Sequence, residues 1–89
     1  MTVLSKEEFK LIITALDAEL YETEDGFCFK KNNEIYRLSL VQDLGGYVIE
    51  YAESEIDANN NFFEDLDVIS NDCPKDELIA AIIDYIRNI

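Results

Sequence analysis

The chain has 89 residues, with 20 Asp and Glu against 7 Lys and Arg, no His, a net charge of −13 and 48% hydrophobic residues. That length makes one domain, residues 1–89, and the apolar fraction belongs to a chain that folds rather than one held open by its charge. Such a charge excludes direct binding to nucleic acid and to anionic membrane surfaces, both of which need clustered Lys and Arg, and the missing His removes the usual general base and the commonest metal ligand.

The first element is announced by its cap. Ser5 and Glu8 form an S-x-x-E capping box, with Leu4 and Phe9 placed for a hydrophobic staple. Phe9, Ile12, Ile13, Leu16 and Leu20 then recur at helical spacing, which predicts a helix over residues 6–19. Asp25-Gly26 marks a turn, and Phe27 to Lys30 reads as a strand. Asn32-Asn33 suits a turn with positive φ. From Glu34 to Val41, Tyr36, Leu38 and Leu40 alternate with Arg37 and Ser39, the clearest strand pattern in the chain. Gly45-Gly46 gives a third turn, and Tyr47 to Ala52 a further strand.

Glu53 to Asn61 reads as a short helical turn capped by Ser54 or as a plain loop. Phe62 to Ile69 reads as a short edge strand or an irregular segment, with Leu66, Val68 and Ile69 anchored in the core. Pro74 opens a final helix, Asp76 and Glu77 sit where its dipole favours negative charge, and Leu78, Ile79, Ile82, Ile83, Ile86 and Ile89 make its apolar stripe. The sum is an α+β fold. It is a two-layer sandwich in which an antiparallel meander of three to four strands carries the N- and C-terminal helices on one face. Cys28, Arg37, Ser39, Val48 and Glu50 fall on the other, partly wet face.

Cys28 and Cys73 form no zinc or redox pattern and are expected as reduced thiols in or near the core. The N-terminus lacks a basic region followed by a long apolar run, and no apolar stretch reaches the length of a membrane span. A cytoplasmic protein without membrane attachment is expected.

The charge is uneven. Between Arg37 and Lys75 there is no basic residue, while Asp43, Glu50, Glu53, Glu55, Asp57, Glu64, Asp65, Asp67 and Asp72 all fall there. A solvated surface that aids solubility is one reading. The other is a docking face for a basic protein, in which carboxylates speed the encounter and aromatic anchors give residence time. On that reading the partner-binding residues are Glu50, Tyr51, Glu53, Glu55, Asp57, Phe62, Glu64, Asp65, Asp67 and Asp72; Tyr51, Phe62 and Phe63 flank the acidic segment and each can equally be a core residue, with Phe63 not counted as an anchor. The run Asp57-Ala58-Asn59-Asn60-Asn61 begins like a calcium loop, but Phe62 stands where that loop needs Gly and Val68 where it needs Glu. Neither a metal nor any other cofactor is expected. No nucleophile-base pair and no phosphate loop exist, so catalysis is not expected either.

Two stretches carry a resemblance. Gly46-Tyr47-Val48-Ile49-Glu50-Tyr51-Ala52-Glu53 is one, and Phe63-Glu64-Asp65-Leu66-Asp67 followed by Pro74-Lys75-Asp76-Glu77-Leu78 is the other. With the order of elements they resemble small acidic immunity proteins of bacterial polymorphic toxin systems, over roughly the C-terminal half. The resemblance implies a protein that blocks a toxin or nuclease by tight binding; it carries no target-contact residue onto this chain. A regulatory or adaptor module for a basic protein and a phage-type DNA mimic are the alternatives. The high net charge opposes self-association, so a monomer is expected rather than a dimer.

Overall fold

The computed structural model describes residues 1–23 and 26–89. Its elements run α1 (Lys6–Ala15), β1 (Glu19–Thr23), β2 (Gly26–Lys31), β3 (Glu34–Val41), a 3-10 turn (Gln42–Leu44), β4 (Gly46–Ala52), α2 (Glu55–Asn59), β5 (Glu64–Ser70) and α3 (Lys75–Arg87). The strands form one antiparallel meander in the order β1-β2-β3-β4-β5. The α+β fold with both long helices on one face is therefore as the sequence predicts, but the sheet has five strands rather than three to four.

The extra strand comes from the end of α1. The capping box is present, with Ser5 N–H donating to Glu8 and Glu8 N–H to Ser5 Oγ. The helix stops at Ala15 rather than residue 19 because Asp17 takes a left-handed conformation at φ 54°. Asp17 N–H bonds Thr14 O and Ala18 N–H bonds Ile13 O, the two bonds of a Schellman motif. This motif usually has Gly at the left-handed position, and an Asp there gave no visible stop signal. Leu20, which continues the helical spacing in sequence, lies instead on β1.

Turn chemistry sets the register of the other strands. Asn32 and Asn33 both have positive φ and close a two-residue hairpin between Lys31 and Glu34. The turn expected at Asp25-Gly26 falls at Asp25 outside the described residues; Gly26 itself begins β2. Gly45, at φ 66°, caps the 3-10 turn. Gly46 is required for a different reason: a Cβ there would sit 2.2 Å from the Ile69 carbonyl oxygen.

The main core lies between the helices and one sheet face. Phe9, Ile12 and Ile13 of α1, Leu16 at its C-cap, and Leu78, Ile82 and Ile86 of α3 pack on Phe29, Tyr36, Leu38, Tyr47 and Ile49. Aromatic rings run in contact from Phe9 to Phe29, Tyr36 and Tyr51, with centroid separations of 6.0, 5.4 and 5.6 Å. Offset and tilted pairs of this kind add to the burial energy. The second face is less wet than expected. The short helix α2 lies over one end of it, and Ala58 packs with Cys28, Ile35 and Ala52. Cys28 is buried, Cys73 is half-buried, and neither forms a disulfide. No described helix is long and apolar enough to cross a membrane.

Candidate interaction surface

The second face is organised by one ion pair. Arg37 on β3 stands directly across from Glu50 on β4. Its Nη2 lies 2.6 Å from Glu50 Oε2 and its Nε 3.2 Å from Oε1, a two-pronged contact. Ser39 donates a further hydrogen bond to Glu50. Burial pushes the Glu50 carboxyl up, but the hydrogen bonds from Arg37 and Ser39 and the guanidinium charge outweigh it and hold the carboxyl below its ordinary range. Glu50 is 8% exposed. Its expected place among the docking carboxylates is therefore corrected: the pairing that stabilises it also removes it from the surface.

The same guanidinium shapes the segment before β5. Arg37 Nη1 donates to Asn61 Oδ1 at 2.9 Å, and its centre lies 3.9 Å from the centroid of the Phe63 ring. Asn61 is left-handed at φ 59°. Asn61 N–H bonds Ala58 O and Phe62 N–H bonds Asp57 O, so α2 ends in a second Schellman motif. Ser54 caps its start, accepting from Asp57 N–H, as expected for a helical turn. The run that begins like a calcium loop is thus a capped turn of helix. Among the described residues, no three His, Cys, Asp or Glu side chains are grouped to hold a metal ion.

These anchors send consecutive aromatics to opposite fates. Phe63 is held against Arg37, whereas Phe62 is thrown outward and is 67% exposed. Beside it Tyr51, Ala52, Glu53, Asp57, Asn61, Phe62, Phe63 and Glu64 line an open groove of about 450 Å3. Tyr51 is half-buried at the end of the aromatic row, and its hydroxyl is pushed up to about 12, chiefly by its hydrogen bond to Glu34.

Five of the ten expected residues, Tyr51, Glu53, Asp57, Phe62 and Glu64, meet at that groove. Asp65 and Asp67 continue the acidic surface along β5. Glu55 lies apart, with its carboxylate 3.9 Å from Lys30 Nζ, and Asp72 follows the far end of β5. β5 is the edge strand that the sequence allowed, but Leu66 and Val68 are not core anchors: they are 38% and 39% exposed, and only Ile69 packs against the main core. A β-bulge at Leu66 accounts for part of this, since Ile49 faces Asp67 while Glu50 faces Asp65. The roles of Arg37 and Asn61 were not expected. An Arg on the non-core face of a central strand was the available signal.

No family model, curated protein or solved structure matches the chain.

Proposed function

We propose that this chain is a non-catalytic acidic binding protein of the immunity type. It neutralises a basic toxin or nuclease in the bacterial cytoplasm by covering its cationic site with the acidic segment 43–72. The observation that carries this reading is the surface formed by β5 and the groove at its start. There Glu64, Asp65 and Asp67 are all exposed on one edge strand, bulged at Leu66, and the exposed Phe62 ring lies two residues before Glu64. Carboxylates on a fixed scaffold attract a cationic site and displace its counterions. An exposed aromatic ring beside them supplies the apolar burial that slows dissociation.

Binding and protection assays with the toxin or nuclease domains encoded beside its gene test the proposal. Stoichiometric binding with loss of toxicity supports it. Failure to bind or protect against any of them overturns it.

A further inference from the structure

We propose that the outer edge of β5 is a strand-addition site, and that it takes an extended segment of the partner bearing Lys or Arg at alternate positions. This rests on the reading of the chain as a binder of basic proteins and specifies how the contact is made.

The backbone pattern identifies which groups of β5 are on offer. In an antiparallel pair, directly opposed residues alternate between those that exchange hydrogen bonds and those that do not. Asn71 N–H bonds Gly45 O at 3.1 Å, so the adjacent Gly46–Ser70 pair is of the second kind. Two residues back, the Val48–Val68 pair is of the second kind as well. The N–H and C=O groups of Val68 and Ser70 therefore point away from β4, and β5 is the last strand of the sheet. A side-chain contact agrees: Val68 N–H donates to Asp67 Oδ1 at 2.7 Å, within its own strand. The Ser70 carbonyl accepts weakly from the Cys73 thiol at 3.6 Å, and the same alternation turns Ser70 N–H and Val68 C=O outward.

An edge of this kind is a template for another strand, and the side chains decide which. Glu64, Asp65 and Asp67 alternate with or flank Leu66 and Val68, and no basic residue lies between Arg37 and Lys75. A second copy of β5 would set carboxylates against carboxylates, which is destabilising for opposed pairs. A cationic strand meets the opposite situation: the register sets Glu64 and Asp67 on the side of Tyr51 and Ile49, where alternate Lys or Arg of the partner would meet them, and Asp65 and Val68 on the other side. Asp67 acts as a removable plug. Its carboxylate occupies the Val68 donor in the free protein, and on docking it turns to a partner Lys or Arg and leaves that donor to a partner carbonyl. Repulsion of like strands and attraction of unlike ones thus arise from the same three carboxylates.

The test uses the intact protein and an acetylated, amidated octapeptide alternating Lys and Val, with the same peptide N-methylated at every residue as the control. Amide hydrogen exchange is followed residue by residue by NMR. The expected result is that the Lys-Val peptide slows exchange at Val68 and Ser70 by about tenfold or more, and that the N-methylated peptide gives no such protection and binds at least about tenfold more weakly. Equal affinity of the two peptides, or binding without protection of Val68 and Ser70, overturns strand addition. If that binding is nonetheless abolished by changing Glu64, Asp65 and Asp67 to Lys, charge-directed docking stands without it. Protection of both amides that rises with protein concentration in the absence of peptide also overturns the proposal, because the occupant is then a second copy. Protection by the peptide with no binding to any toxin domain sinks the immunity reading and leaves the strand-addition site standing.

Discussion

Arg37 and Glu50 face one another across the β3–β4 pair and join the sheet to the segment that presents Phe62. The side chains are only 13% and 11% exposed. Removing one partner of a buried pair leaves the other desolvated without compensation, so Arg37→Ala and Glu50→Ala should each lower stability by about 3–5 kcal/mol. Arg37→Ala should also free Asn61 and Phe63, and so loosen the approach to β5. Urea unfolding gives the stability change, and amide exchange at residues 61–64 reports the loosening. The Glu50 carboxyl lies below its ordinary value of 4.5 in the fold. Its contribution is therefore fully present above that pH and is lost as the pH falls through the lower folded value.

Glu8 makes a second acid-sensitive contact. Its carboxylate lies 2.7 Å from Lys75 Nζ, joining the first turn of α1 to that of α3, and it also accepts from Ser5 N–H. Chiefly through Lys75, and then Ser5, its pKa is held down to about 2 from 4.5. The folded value is the lower one, so this stabilisation is present above pH 4.5 and fades as the pH falls toward 2. Glu8→Gln should lower the melting temperature at pH 7 and flatten its decline across that acid window. An unchanged acid limb would show that the contact is not linked to folding.

Phe62 should separate binding from stability. Because its ring is largely exposed, Phe62→Ala should change folding stability by no more than about 0.5 kcal/mol. Removing the anchor should nevertheless weaken binding to the basic domain by about tenfold or more, mainly through faster dissociation. Denaturant titration and dissociation kinetics on the same variant check both halves.

The two adjacent glycines should respond differently to alanine. At Gly46 the new methyl group meets the Ile69 carbonyl, a backbone group that can move only by parting β4 from β5, so the variant should lose about 2 kcal/mol or more. At Gly45 nothing lies within 4 Å of the added Cβ, and only the left-handed backbone is strained, for about 1 kcal/mol. Only Gly46→Ala should also speed amide exchange along β5.

Much of the fold was legible because local chemistry and tertiary packing agree. Ser5 and Glu8, Asn32 and Asn33, and the Tyr36-Leu38-Leu40 alternation each point to the element they form. The missed strand β1 has a local cause: the left-handed stop is Asp17, while Leu16 and Leu20 prolong a helical pattern across it. The acidic surface was legible as a stretch of chain, but its internal sorting was not. Whether a carboxylate stays in water depends on what faces it across the sheet. Glu50 meets Arg37 and is buried, while Asp65 and Asp67 lie on the edge strand beyond it. The exposure of Leu66 and Val68 follows from their place at that edge and from the bulge, neither of which is marked by a turn residue.

The most direct test of the central claim is the association rate with a basic toxin or nuclease domain encoded beside the gene, at low salt, measured by stopped flow. The wild type is compared with a variant in which Glu64, Asp65 and Asp67 are changed to Lys. A control variant changes the exposed Glu7, Glu19 and Asp84 to Lys, so that net charge shifts equally in both. A docking surface at β5 predicts that the first variant associates about tenfold or more slowly, and that the control loses much less. Equal slowing in both, or no slowing in the first, would contradict it.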